Sequence, residues 1–205
     1  MVNRKTRIAV FVSGGGTNLQ ALIDAQGTVI NDGEIVLVVA SNPGAYALER
    51  AAKAGIASTV CWKKELGSQE AFEDAIQAAL TEHEIDFIVL AGFMTILSEN
   101  FTKKWENRII NVHPSMIPKF CGEGFYGLRV HEAVLAAGEK TTGATVHFVN
   151  EIPDGGEIIV QKEVAVEEGD NPELLQKRVM QQAEWIILPQ AAQMLSEKLR
   201  KERMM

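Results

Sequence analysis

The feature that most constrains this chain is an unbroken apolar run, Arg7-Ile-Ala-Val-Phe-Val12, that passes directly into Ser13-Gly-Gly-Gly-Thr-Asn18. Such a run predicts a strand covered on both faces, as strands are in parallel sheets. Leu19, Leu22 and Ile23 then recur at helical spacing, so the glycines form the turn between this strand and a helix starting near Thr17. The alternation continues. Glu34-Ile-Val-Leu-Val-Val-Ala40 reads as a second buried strand, followed by the turn cluster Ser41-Asn-Pro-Gly44 and a helix over 46–54. A short strand over 58–62 leads through a polar loop to a helix over 68–82, with Phe72, Ile76 and Leu80 as its core face. Residues 87–94 form a fourth strand with Ala91 and Gly92 at its carboxyl end, Ser98 caps a helix over 99–105, and Arg108-Ile-Ile-Asn-Val-His113 is the next strand. Repeated strand–helix alternation predicts parallel βαβ units.

The last third reads differently. Thr141-Thr-Gly-Ala-Thr-Val-His-Phe-Val149 alternates like a half-exposed strand and pairs with residues 157–166 across Ile152-Pro-Asp-Gly-Gly156, which predicts an antiparallel hairpin. Asn171 caps a long helix with Leu175, Val179, Ala183 and Ile186 on one face; Pro189 kinks or splits it, and residues 198–203 form a solvated end. The expected fold class is therefore α/β: an open, mostly parallel, Rossmann-like sheet with helices on both faces and an antiparallel C-terminal hairpin. At 205 residues one domain over 1–205 can bury roughly 70% of its unfolded surface without disulfides or metals.

Composition removes several function classes. No segment reaches the about 18 consecutive apolar residues that a membrane helix needs, and the apolar run after the basic N-terminus is too short for a signal peptide, so a cytoplasmic protein without a membrane partner is expected. Cys61 and Cys121 make no disulfide framework, and four scattered histidines lack HxxxH or HExxH spacing, so no metal is expected. A net charge of −7, from 20 basic and 27 acidic residues, argues against a nucleic-acid partner but leaves room for one locally held phosphate.

Three stretches can carry chemistry. Backbone N–H groups in the glycine turn and at the following helix N-terminus can converge on an anion; the plain reading is a tight turn. A dinucleotide fingerprint fails because Leu19 stands where its third glycine belongs and Ser41-Asn42 offers no carboxylate for a ribose, and a Walker loop fails for want of Gly-Lys-Ser/Thr. Asn111 and His113 leave the same face of their strand, and Pro114 and Pro118 end the ladder just beyond them, at the end where α/β sheets bind ligands. The plain alternative is a core histidine with a turn asparagine. Lys119-Phe-Cys-Gly-Glu-Gly-Phe-Tyr-Gly127 suits a lid, ahead of a helix over 128–137, and Asp154 is either a turn aspartate or a member of the site.

Asn111-Val-His-Pro-Ser115 with Pro118, then Ile152-Pro-Asp-Gly-Gly156, preceded by Ser13-Gly-Gly-Gly-Thr-Asn18 and Ala91-Gly-Phe-Met94, resemble the glycinamide ribonucleotide formyltransferase family of purine synthesis over nearly the whole chain. The resemblance implies transfer of a formyl group from 10-formyltetrahydrofolate, a co-substrate needing no metal, to the amine of 5'-phosphoribosylglycinamide. It implies a catalytic set of Asn111, His113 and Asp154. The ribonucleotide falls to Gly16, Thr17 and Asn18 at its phosphate, Glu184 at its ribose, and Pro114 and Gly122. Folate falls to Met94, Thr95, Ile96, Leu97, Asn111, Asn150, Glu151, Ile152, Pro153 and Asp154. Residues up to about 110 form a nucleotide half and those from about 111 a catalytic and folate half, in a monomer or homodimer.

The chain departs from the family pattern at Gln69 and Thr95, where bacterial relatives have arginines near the folate tail, and in a longer loop over 122–127. His131 and His147 match family histidines near the site, His147 being read as structural. The chemistry agrees with these roles: formyl transfer passes through a tetrahedral oxyanion, which needs a donor, and moves a proton between two nitrogens. Asn111 can donate, His113 can carry, and Asp154 raises the imidazole pKa. Three other readings remain. A formyltetrahydrofolate deformylase normally has a regulatory domain and usually lacks proline after the histidine, methionyl-tRNA formyltransferase has glycine at the Pro114 position, and a non-catalytic nucleotide sensor needs only the glycine loop.

Overall fold

The computed structural model describes residues 4–204. Five strands, β1 (Thr6–Val12), β2 (Gly33–Ala40), β3 (Ala57–Val60), β4 (Phe87–Leu90) and β5 (Ile109–His113), are followed by the hairpin β6 (Thr141–Phe148) and β7 (Ile158–Ala165). The helices are α1 (Thr17–Asp24), α2 (Ala47–Lys53), α3 (Lys63–Leu66), α4 (Gln69–Glu82), α5 (Glu99–Lys104), α6 (Leu128–Ala136), α7 (Pro172–Val179) and α8 (Trp185–Met204). No helix among the described residues is long and apolar enough to cross a membrane.

The seven strands lie in the order β3-β2-β1-β4-β5-β6-β7. All pairs from β3 to β5 are parallel, and β6 and β7 are antiparallel additions to β5. The strand order reverses between β1 and β4, a topological switch point whose carboxyl end opens a crevice. Alternating side chains on β1 feed two cores: Ile8, Val10 and Val12 pack with α1 and α8, while Ala9 and Phe11 pack with Phe72, Ile76 and Leu80 of α4. Phe72 is fully buried, so its loss to Ala would cost about 3–5 kcal/mol.

Local chemistry sets the helix starts. The Ser68 hydroxyl accepts from Ala71 N–H (3.0 Å), Ser98 from Phe101 N–H (3.2 Å) and Asn171 from Leu174 N–H (2.8 Å).

Four expectations need correction. The fourth strand stops at Leu90 rather than Met94, because Gly92 turns the backbone into the left-handed region (φ 75°). The third strand ends at Val60, and the polar loop after it contains the single helical turn α3. The C-terminal helix is interrupted by a π turn over Met180–Glu184, ahead of Pro189, which α8 accommodates. One extra residue in that turn rotates the following face by about 100°, so Ile187 and Leu188 are buried and Ile186 is 40% exposed. The basic tail is also tied down: Arg203 donates to Thr6 Oγ1 (2.9 Å) and pairs with Asp86 (3.3 Å), and Arg200 pairs with Asp32.

Candidate active site

The glycine turn sits at the carboxyl end of β1, with Gly16 (φ 69°) as the N-terminal cap of α1. The three glycines differ. A Cβ on Gly14 or Gly15 would meet nothing within 4 Å, whereas one on Gly16 would lie 2.7 Å from Ala47 Cβ. Gly16 is thus demanded by its backbone conformation and by packing on α2, while the open space lies above Gly14 and Gly15. Thr17 is exposed, and its hydroxyl lies 3.7 Å from Met180 Sδ. Asn18 is buried and donates to Glu184 Oε2 (2.7 Å), its own Oδ1 lacking a partner. Complete burial pushes the Glu184 carboxyl up to about 7 against the effect of the Asn18 amide. Glu184 stands at the end of the π turn, which is how it comes to face α1.

The second cluster forms where the antiparallel hairpin joins the parallel sheet. Asn111 pairs with His147 and His113 with Thr145 in the β5–β6 register. Asn111 Nδ2 and His147 Nε2 are 3.2 Å apart, and His147 Nδ1 is 2.7 Å from its neighbour's carbonyl at Phe148. The carbonyl can only accept, so neutral His147 donates from Nδ1 and accepts from one N–H of Asn111 at Nε2. The other N–H of that amide is left to donate elsewhere. His147 therefore orients Asn111, a part that sequence reading did not give it.

Asp154 lies between the two imidazoles, 3.4 Å from His113 Nδ1 and 3.5 Å from His147 Nε2. Its backbone is left-handed (φ 55°), a conformation Asp tolerates. The following glycines are fixed by space: a Cβ on Gly156 would sit 1.8 Å from the Phe148 carbonyl oxygen, and one on Gly155 2.6 Å from Ile152. Burial alone would raise the Asp154 pKa, but the charge of His113 and the Gly122 N–H (2.9 Å) help to hold it below the ordinary carboxylate value.

His113 is 4% exposed, and its Nε2 is 2.8 Å from the Phe120 carbonyl. That carbonyl is held in place from β6 and β7. Thr145 donates to Ser115 O (2.7 Å), Ser115 to Lys119 O (2.7 Å) and Gln161 to Ile117 O (2.9 Å), which clamps the segment after Pro114. The expected rise in the His113 pKa is only one contribution. Burial lowers it most, Asp154 pushes back, and the net direction is down. His131, on α6, is fully buried with neither ring nitrogen partnered, and burial followed by the His113 charge holds it down to about 4, so it is neutral at pH 7.

A third region flanks the switch point. Ser13 N–H donates to Gly92 O (3.1 Å), and its hydroxyl accepts from Met94 N–H (2.8 Å), joining the glycine loop to the segment after β4. A depression of about 440 Å³ is lined by Lys63, Gln69, Met94, Ile96, Leu97 and Ser98. Ile96 is 80% exposed, an unusual position for a large aliphatic side chain. Gln69 donates to Ile96 O (3.1 Å) and so shapes the wall. Asn150 accepts from Ile152 N–H (3.0 Å), which curls residues 150–154.

Residues 6–192 match the model of the family described as formyl transferase. The chain belongs to the formyl transferase family. It is 39% identical over 183 residues to the phosphoribosylglycinamide formyltransferase of Haemophilus influenzae, covering 89% of this chain and 84% of that protein. A solved phosphoribosylglycinamide formyltransferase from Brucella melitensis is 42% identical with a TM-score of 0.86, covering 94% of this chain and 96% of that one. The trifunctional purine biosynthetic protein adenosine-3 of Gallus gallus is 44% identical over 192 residues, and the chain spans only 18% of its length.

For this formyl transferase the fold brings Asn111, His113 and Asp154 together with Pro114 and Gly122, and separately Gly16, Thr17 and Asn18 with Glu184. Met94, Thr95, Ile96 and Leu97 form the wall of the depression or adjoin it, and Glu151, Ile152 and Pro153 are exposed on the turn that presents Asp154. Sequence reading missed Ser13, the Phe120 carbonyl and the orienting contact of His147. A Ser immediately before the glycines was the available signal for the first; the other two depend on register.

Proposed function

We propose that the protein transfers the formyl group of 10-formyltetrahydrofolate to the amine of 5'-phosphoribosylglycinamide, with Asn111, His113 and Asp154 as the catalytic set. The observation that carries this is the placement of a backbone anion cradle and an Asn–His–Asp cluster at the carboxyl ends of β1 and β5, with only β4 between them and the segment after β4 tied to the cradle by the Ser13–Met94 hydrogen bond. Relatives named phosphoribosylglycinamide formyltransferase support it. Residues up to about 110 contribute the nucleotide half, and those from about 111 the catalytic and most of the folate contacts.

The amine nitrogen attacks the formyl carbon, a C–N bond forms, and the carbonyl oxygen becomes an oxyanion. The Asn111 N–H not used by His147 donates to that oxygen, and its orientation is fixed before substrate arrives, which is what makes such a donor effective. Breaking the bond to the folate nitrogen then requires one proton to leave the amine and one to reach the leaving nitrogen. His113 carries it, with Asp154 stabilising the imidazolium. His113 Nε2 is held on the Phe120 carbonyl, and its Nδ1 faces the Asp154 carboxylate, which the Gly122 N–H also holds.

Glu184 and Asn18 receive the ribose, and the apolar wall of Met94, Ile96 and Leu97 receives the folate. The test is consumption of 10-formyltetrahydrofolate by the purified protein with and without the ribonucleotide. Turnover only in its presence is expected. Equal turnover in its absence assigns water as the acceptor and makes the protein a deformylase.

A further inference from the structure

The glycine turn is backed by one helix. Ala47 N–H donates to Gly14 O (3.1 Å), Arg50 Nε donates to Gly15 O (2.8 Å), and Gly16 packs on Ala47. Arg50 is itself braced: its Nη1 donates to Gln20 Oε1 of α1 (3.0 Å), and its guanidinium lies 5.1 Å from the centre of the Tyr46 ring. In a trans peptide the C=O and the next N–H point in opposite directions. Carbonyls 14 and 15 turned toward α2 therefore turn the N–H groups of Gly15 and Gly16 away from it. The Gly16 carbonyl, which accepts from Gln20 N–H (2.9 Å), does the same for Thr17. These three N–H groups have no acceptor among the described residues, and the space beside Gly14 and Gly15 is open.

Three glycines leave a turn free to rotate its peptide planes, so something must hold the 15–16 plane. A rotation of that plane would aim a carbonyl at an incoming anion. We propose that Arg50 is a positioning residue for the phosphate of the nucleotide: it holds the Gly15 carbonyl on the α2 side, keeping the Gly16 N–H turned to the phosphate. The inference rests on the phosphate assignment made above and adds the residue that maintains the cradle. Arg suits this task because its planar fork donates in two fixed directions, to Gly15 O and to Gln20, which a lysine ammonium cannot reproduce.

The test is calorimetric binding of ribose 5-phosphate to the full chain and to Arg50→Met, Arg50→Lys and Gln20→Ala, alongside steady-state kinetics and thermal melts. A loss of about tenfold in ribose 5-phosphate affinity is expected for Arg50→Met and nearly as much for Arg50→Lys, and a smaller one for Gln20→Ala, which removes only the brace. The nucleotide KM should rise in step, with kcat at saturation, the folate KM and Tm unmoved. Recovery of affinity in Arg50→Lys overturns the inference in favour of simple charge attraction. Wild-type affinity in both Arg50 variants overturns it outright, as does a loss that falls equally on the folate KM or on Tm. Should the protein bind ribose 5-phosphate in an Arg50-dependent way without transferring formyl groups, the positioning role stands and the proposed reaction is what fails.

Discussion

The two ends of the crevice solve different problems with different parts of the chain. At the glycine turn the groups proposed to meet the phosphate are backbone N–H donors, and the Arg50 side chain holds the turn from behind. At the β5–β6 junction the groups proposed to do the chemistry are the side chains of Asn111, His113 and Asp154, and the backbone holds them from behind, through the carbonyls of Phe120 and Phe148 and the N–H of Gly122. The first site needs no titrating group to hold an anion. The second needs a group that takes and gives a proton, and it surrounds that group with two imidazoles and a carboxylate. Substitutions should therefore separate the ends by signature: rate and pH dependence at one, affinity and stability at the other.

The largest expected effects are at the side-chain end. His113→Ala should lower kcat about 10²–10⁴-fold and Asn111→Ala about 10²–10³-fold, with the folate Kd largely kept; a rate within twofold of wild type for either would remove that residue from the mechanism. Asp154→Asn should cost less in kcat and should shift the acidic inflection of the pH–rate profile. Asp154 opposes the effect of burial on His113, so without its charge the inflection moves to lower pH. An unmoved inflection in the folded variant leaves Asp154 as a turn residue.

At the other end, Glu184 has a folded pKa raised from 4.5 to about 7. The native state then holds a proton that the unfolded chain releases, so stability is highest below the unfolded pKa and falls as pH rises toward the folded one, by roughly a few kcal/mol at most. Glu184→Gln should abolish this fall while its Oε1 still accepts from Asn18; parallel stability–pH curves for the two proteins would contradict it. The glycines give the smallest and sharpest contrast. Gly16→Ala should cost about 1–2 kcal/mol of stability from its left-handed backbone, together with overlap on Ala47. Gly15→Ala has room for its Cβ, so Tm should hold while the nucleotide KM rises several-fold. If both variants only lower Tm, the turn is structural and the contrast between the two ends collapses.

Legibility followed the same division. The end of β1 at Val12, the glycine turn and a helix starting near Thr17 could be read from the sequence, because an apolar run, a turn and a helical period are local patterns. The Asn111–His113 face and the switch from parallel to antiparallel strands were legible for the same reason. The contact of His147 with Asn111 was not, since it depends on which residue of β6 falls opposite Asn111, and no local pattern sets that register. The helix after Asn171 misled in another way. Its leading face followed Leu175, Val179 and Ala183, but the π turn shifted the phase and put Ile187 where Ile186 was expected.

By itself the sequence determined the order of the strands and of the helices apart from α3, the layered α/β architecture and the stretches proposed to carry chemistry, since these follow from periods of two or 3.6 residues and from where glycine and proline interrupt them. Tertiary structure decided the rest. It placed Asp154 between His113 and His147, from turns and strands far apart in the chain, and buried His113 deeply enough that desolvation outweighs the carboxylate beside it. It also turned the Gly15 carbonyl toward Arg50. Burial, register and the tilt of a peptide plane depend on what packs behind a residue, and that is set only when distant segments meet.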